Sequence, residues 1–149
     1  MDFVVATDGS TQSEAAIEHA VALAEATDGS VTVVHAVTPA VRTQGGSDPV
    51  VDPSNAADRL LMEDESDAGA RGERILENAS TVAEGGGMTV ETELLHGDAV
   101  DAIVEYATAV DADGVVVGHR GLTERAEEHL GSVAKSLVSR SPVPVTVVS

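Results

Sequence analysis

The sequence predicts an α/β protein with helices packed on a parallel sheet. Five short β-type runs alternate with helical patterns along the chain, an order that lays strands side by side with helical crossovers between them. Two of the runs, residues 3–6 and 114–117, are almost unbroken apolar segments, as strands covered on both faces require. A length of 149 residues suits one domain spanning 1–149. Such a chain buries roughly two-thirds of the surface it exposes when unfolded, so it needs no disulfide or metal staple.

The first strand, Phe3-Val4-Val5-Ala6, runs into Thr7-Asp8-Gly9-Ser10, a turn-forming group. Ser10 is placed to cap the first helix, with Glu14 in its opening turns. Ala16, Ala20, Leu23 and Ala24 form the apolar stripe of that helix, and Asp28-Gly29 stops it. The second strand covers 31–37. A long second helix follows from about 56 to 84, striped by Ile75, Leu76, Ala79, Val82 and Ala83. Gly69 and Gly72 weaken its middle, and Gly85-Gly86-Gly87 ends it. The third strand is expected over 88–95. The third helix, 99–109, carries Val100, Ile103, Val104 and Ala107 at i, i+3, i+4 and i+7. The fourth strand, 114–117, precedes a helix that begins near Ser132 and turns Val133, Ala134, Leu137 and Val138 inward. The last strand, 143–148, contains Pro144, which marks a sheet edge. Residues 38–55, with Pro39, Gly45-Gly46, Pro49 and Pro53, form the one long loop, of the length that is usually functional or mobile.

Composition excludes several kinds of chemistry. With no Cys, disulfides, thiolate catalysis, zinc-thiolate sites and iron–sulfur clusters are ruled out. The chain has 26 Asp+Glu against 8 Lys+Arg and a formal net charge of −18, whereas a nucleic-acid partner needs a basic face. Phe3 and Tyr106 are its two aromatics, almost no platform for stacking bases. An apolar fraction of 42% and a mean hydropathy of +0.05 oppose disorder. No apolar run approaches the ~20 residues of a membrane helix. The start, Met1-Asp2-Phe3, lacks the features of a signal peptide. The expected compartment is the cytoplasm, with neither membrane nor nucleic acid as partner. Lys135 is the single Lys among the eight basic residues. Many acids, one Lys and small apolar side chains resemble the proteins of salt-loving archaea, in which salt screens the self-repulsion.

The strongest chemical signal follows the fourth strand. Gly118-His119-Arg120-Gly121 is followed by nine residues and then by Gly131-Ser132 at a helix start. Glycines let backbone approach a ligand closely, and a helix N-terminus binds phosphate. Local physics equally permits plain turns, with Ser132 as a helix cap. There is no Gly-Lys-Ser/Thr, and the first strand leads into Asp8-Gly9-Ser10. A Walker A loop and a dinucleotide fingerprint are therefore both absent. In an open α/β sheet the ligand binds beyond the carboxyl ends of the strands, where the winding reverses.

Over its whole length the chain resembles the universal stress protein family. Gly118-x2-Gly121-x9-Gly131-Ser132 is similar to that family's nucleotide-binding motif. Val4-Val5-Ala6-Thr7-Asp8-Gly9-Ser10 resembles its first strand and turn, and Val33-Val34-His35-Ala36-Val37 its second strand. His96-Gly97-Asp98-Ala99 resembles the turn after its third strand, and Ser141-Pro142-Val143-Pro144-Val145 the lead into its last. The resemblance implies a doubly wound five-stranded parallel sheet, order 3-2-1-4-5, with helices on both faces. Strands one and four are then neighbours at the switch point.

The same resemblance implies a regulatory, stress-response protein that binds ATP, or ADP or AMP, with Mg²⁺ on the phosphates. Its site would comprise Thr7, Asp8, Ala36, Val37, Gly97, Gly118, His119, Arg120, Gly121, Gly131, Ser132 and Val133. Asp8 would accept from ribose hydroxyls or sit near the adenine, and Ala36 would offer backbone to the adenine edge. Gly118, Gly121, Gly131 and Ser132 would surround ribose and phosphates, and Gly97 would border the pocket. Arg120 is the best-placed counter-charge for phosphate. A homodimer through the C-terminal strand is also implied. Glu124, Glu127 and Glu128 stand in the spacer, where many relatives are more apolar or basic. That keeps open an interaction module of the same fold without nucleotide, with a slow ATP phosphohydrolase as a third reading. No Ser/His/Asp set for catalysis is evident. His35 reads as a partly buried strand-end histidine satisfied by a hydrogen bond.

Overall fold

A computed structural model describes residues 1–37, 56–119 and 131–149, without the side chains of 56–68. The loop expected over 38–55, and the spacer with Arg120 and Gly121, lie outside the described residues. In chain order the elements are β1 (Asp2–Ala6), α1 (Thr11–Thr27), β2 (Ser30–Val37), α2 (Ala56–Gly85), β3 (Glu91–His96), α3 (Ala99–Ala109), β4 (Gly114–Gly118), α4 (Ser132–Arg140) and β5 (Val145–Val148). The strands form one parallel sheet in the order β3-β2-β1-β4-β5. This is the 3-2-1-4-5 order that the family resemblance implies.

Strand alternation sorts the core into two layers. Phe3 and Val5 of β1 face one way, with Val31 and Val33 of β2, onto α1 and α2. Val4 and Ala6 face the other way, with Val34 and the alternate residues of β4, onto α3 and α4. The near-continuous apolar runs of β1 and β4 follow from this, because neither strand has a wet face. Ala16, Ala20 and Ala24 are fully buried on α1, and their small side chains let the helix lie close to the sheet. Ile17 and Leu137 are the largest fully buried side chains, one in each layer. Burying each contributes about 2–3 kcal/mol.

Several local expectations are corrected. The third strand begins at Glu91 rather than Met88, and Pro144 precedes β5 instead of lying within it. The lone donor that Pro lacks is therefore not needed by the ladder. On α4, Ala134 and Leu137 are buried, but Val138 is 54% exposed. Asp28-Gly29 does stop α1 as expected: Asp28 takes the left-handed position, at φ 56°, and its short side chain tolerates it. Gly72 does more than weaken α2. A Cβ there would stand 2.8 Å from Leu94 Cδ1 and 2.9 Å from His35 Cδ2, so this glycine is what lets α2 cross the ends of β2 and β3. Among the described residues, no helix is long and apolar enough to cross a membrane.

Candidate functional site

The winding of the sheet reverses between β1 and β4, which pair from Phe3↔Gly114 to Ala6↔Val117. The chain leaves these neighbouring strands in opposite directions, so a crevice opens at their carboxyl ends. A cavity of about 180 Å³ occupies it. Ala6 and Val117 form its floor, and Val34, His35 and Ala36 its β2 side. Ala99 and Ile103 of α3 form an apolar wall, the first turn of α4 from Gly131 to Ala134 lies opposite, and Thr7, Asp8 and Ser13 supply the polar rim.

The polar rim is ordered by its own hydrogen bonds. Ser10 caps α1 as expected, its Oγ accepting from Ser13 N–H at 3.2 Å. Asp8 Oδ1 accepts from Ser10 N–H at 2.9 Å, an Asx turn. Thr7 Oγ1 donates to Ser13 Oγ at 2.9 Å and accepts from Gly9 N–H at 3.1 Å. Ser13 Oγ donates in turn to Ser10 C=O at 2.8 Å. Thr7, Ser10 and Ser13 are buried polar residues, and these bonds offset their desolvation. Asp8 itself remains half-exposed at the cavity.

Gly118 ends β4 against the start of α1. A Cβ there would lie 2.9 Å from both the carbonyl carbon and oxygen of Gln12, so only glycine allows the strand to finish at the cavity floor. Beyond it, His119 N–H donates to Val148 C=O, and Gly131 N–H donates to His119 C=O, both at 2.7 Å. The chain after the 120–130 segment thus returns to the point it left. Gly131, not Ser132, is the N-cap of α4, so the alternative of Ser132 as a cap is not realised. Ser132 is the first helical residue, where the macrodipole favours an anion by about 0.3–1 kcal/mol.

Seven of the residues named from sequence come together on this one cavity: Thr7, Asp8, Ala36, Gly118, Gly131, Ser132 and Val133. Three do not line it. Val37 alternates onto the α2 side, where it approaches Gly72. His119 is held at the base of the 120–130 segment. Gly97 N–H donates to Val37 C=O at 3.0 Å, and this glycine borders a separate open groove with Asp98, Asp101 and Tyr106. In that groove burial raises the Tyr106 phenol above its ordinary pKa, Glu93 and Glu91 push the same way, and a hydrogen bond with Thr32 opposes them. Sequence reading missed Ser13 and the apolar wall of Ala99 and Ile103. Ser13 carries the spacing signal of a capping partner three residues after Ser10, but nothing in the one-dimensional pattern turns it toward a cavity.

A doubly wound parallel sheet with a crevice at its switch point defines an open-sheet α/β protein, a class in which ligands bind at the strand ends. The model described as "Universal stress protein family" matches residues 1–149. The chain is 30% identical over 145 residues to universal stress protein YxiE of Bacillus subtilis, covering 97% of this chain and 96% of the relative. It is 32% identical over 147 residues to universal stress protein MJ0531 of Methanocaldococcus jannaschii, covering 97% and 79%. Among solved structures, a universal stress protein in complex with cAMP aligns with a TM-score of 0.70 at 30% identity, over 99% of this chain and 95% of that one. The chain belongs to the universal stress protein family.

Proposed function

We propose that the chain binds an adenine nucleotide in the β1/β4 crevice and acts as a regulatory module in a stress response. The observation that carries this reading is one cavity joining Asp8, the backbone of Ala36 and the N-terminus of α4 at the switch point. An acceptor for ribose, a backbone edge for adenine and a helix start for phosphate are then within one ligand's reach. The solved relative with cAMP supports it. ATP is the ligand we assign first, with ADP and AMP as lesser-charged members of the same class. On ATP, Mg²⁺ carried by the phosphates and Arg120 from the motif offset the repulsion from a −18 chain. Val37, Gly97 and His119 lie off the cavity, so we assign them no contact with the ligand. Residues 1–149 form one domain in this reading, acting in the cytoplasm of a salt-adapted cell.

Calorimetry in molar KCl with ATP, ADP, AMP and cAMP tests the assignment. Asp8→Asn keeps the Asx turn, because its Oδ1 still accepts from Ser10 N–H, but removes the carboxylate. It is expected to weaken binding about 10- to 100-fold, the value of a hydrogen bond to a charged group. No heat from any nucleotide, and no thermal stabilisation at millimolar concentration, would leave the non-nucleotide interaction module as the better reading. The acidic spacer favours that outcome.

We also propose a homodimer through β5. Among the described residues this strand ends the sheet, and all four of its residues are only half-buried, an edge able to pair with another chain. Val145→Asp is expected to lower the association state by light scattering at high salt. A wild-type monomer there would contradict the dimer.

A further inference from the structure

The carbonyl of Thr7 is the last backbone acceptor before Asp8, and its partner sets how the next peptide is turned. His35 Nδ1 lies 2.8 Å from it. A carbonyl only accepts, so Nδ1 carries the proton and donates. Thr7 N–H donates to Val34 C=O at 2.9 Å. β2 therefore holds residue 7 from both sides of its Cα, through Val34 and through the His35 ring, while the Thr7 hydroxyl is bonded to Ser13 and Gly9. On its other side the ring packs close to α2 at Gly72, where even a Cβ would stand only 2.9 Å from His35 Cδ2. Helix α2, strand β2 and the Asp8 turn thus meet at one imidazole.

We propose that His35 is a positioning residue: its Nδ1–H holds the Thr7–Asp8 peptide and so sets the orientation in which the Asp8 carboxylate meets the ligand. The inference rests on the nucleotide reading above for its effect on binding, but the clamp itself is a property of the ligand-free protein. Asn at position 35 places an amide N–H where Nδ1 was; Leu fills similar space without a donor.

Two measurements test it. In the ligand-free protein, ring ¹⁵N shifts of His35 should report the Nδ1-protonated tautomer. Amide exchange at Gly9 and Ser10, whose N–H groups bond Thr7 Oγ1 and Asp8 Oδ1, should be about tenfold faster in His35→Leu and near wild type in His35→Asn. Unchanged exchange in His35→Leu overturns the clamp, whether or not nucleotide binds. If the wild type binds no nucleotide while exchange responds as expected, the functional reading fails and the clamp stands. In binding assays His35→Leu should weaken nucleotide affinity about tenfold and His35→Asn should restore it. The effect of His35→Leu should nearly vanish in an Asp8→Asn background, because one residue acts through the other. An equal loss in both backgrounds would mean that His35 touches the ligand itself, and would overturn the positioning role.

Discussion

Gly118→Val should lower the melting temperature by on the order of 10 °C and abolish stabilisation by nucleotide. The Cβ it adds would sit 2.9 Å from Gln12 C and O and 3.1 Å from Gln12 Cβ. Two of these atoms are helix backbone in the first turn of α1, so no rotamer change relieves the clash. Helix α1 cannot simply lift away, because Ala16, Ile17 and Ala20 are fully buried against the sheet. Overpacking of this kind costs about 1–3 kcal/mol and sometimes more, and each kcal/mol lowers the melting temperature by about 2–4 °C in a chain of this size. What moves is the end of β4, the floor of the cavity, so binding falls with stability. Gly69→Ala is the control. A Cβ at Gly69 meets nothing within 4 Å, and Ala is the better helix former by about 0.8–1 kcal/mol, so this variant should melt higher than wild type. Thermal melts by circular dichroism decide it. A Gly118→Val protein melting within 2 °C of wild type, with binding intact, would show that α1 and β4 do not meet as described.

Raising KCl from 0.1 M to 2 M should raise the melting temperature by a comparable amount. Every described carboxylate except Asp8 is exposed, and the net charge of the chain is −18. Such a surface repels itself most strongly in the folded state, where the charges are closest. The screening length falls from about 10 Å at 0.1 M to about 3 Å at 1 M, below the spacing of most surface neighbours. Relief of about 3 kcal/mol corresponds to on the order of 10 °C. The Arg140–Asp101 pair is itself exposed, so its loss by screening removes little. Affinity for ATP should rise over the same range, more steeply than affinity for cAMP, because ATP carries more charge into the same field. A melting temperature that is flat or falls with KCl would refute the salt-adapted reading of the composition.

The fold was legible because its signals are local and repeated. Apolar β-runs separated by helical stripes can be read one element at a time, and Ser10 as a cap needs only its neighbours. The parts that misread depend on what lies across the sheet. Gly118 signals close approach of a ligand, and it does line the cavity, but no local pattern shows that Gln12 backbone also packs against it. Gly72 read as a weak point in a helix, but it is a contact surface for Leu94 and His35. Val138 fits the helical stripe of α4 yet stays exposed, because α4 has a sheet on one side only and the stripe is wider than that contact.

The candidate site divides in the same way. Asp8, Gly118 and Gly131-Ser132 stand out in the chain, because turn residues and a helix start have sequence signatures. Ser13, Ala99 and Ile103 have none that separates a cavity wall from an ordinary core. His35 was rightly read as a satisfied strand-end histidine; its acceptor, Thr7 C=O, lies 28 positions earlier in the chain.

By itself, the sequence determined the succession of strands and helices, the acidity of the surface and the residues able to turn or cap. These follow from propensity and period, which act over a few neighbours. Only the tertiary structure decided which turns share a cavity, which glycines are contacts, and which backbone carbonyl an imidazole holds. Those depend on groups far apart in the chain being packed within a few ångströms of one another, a relation no local pattern encodes.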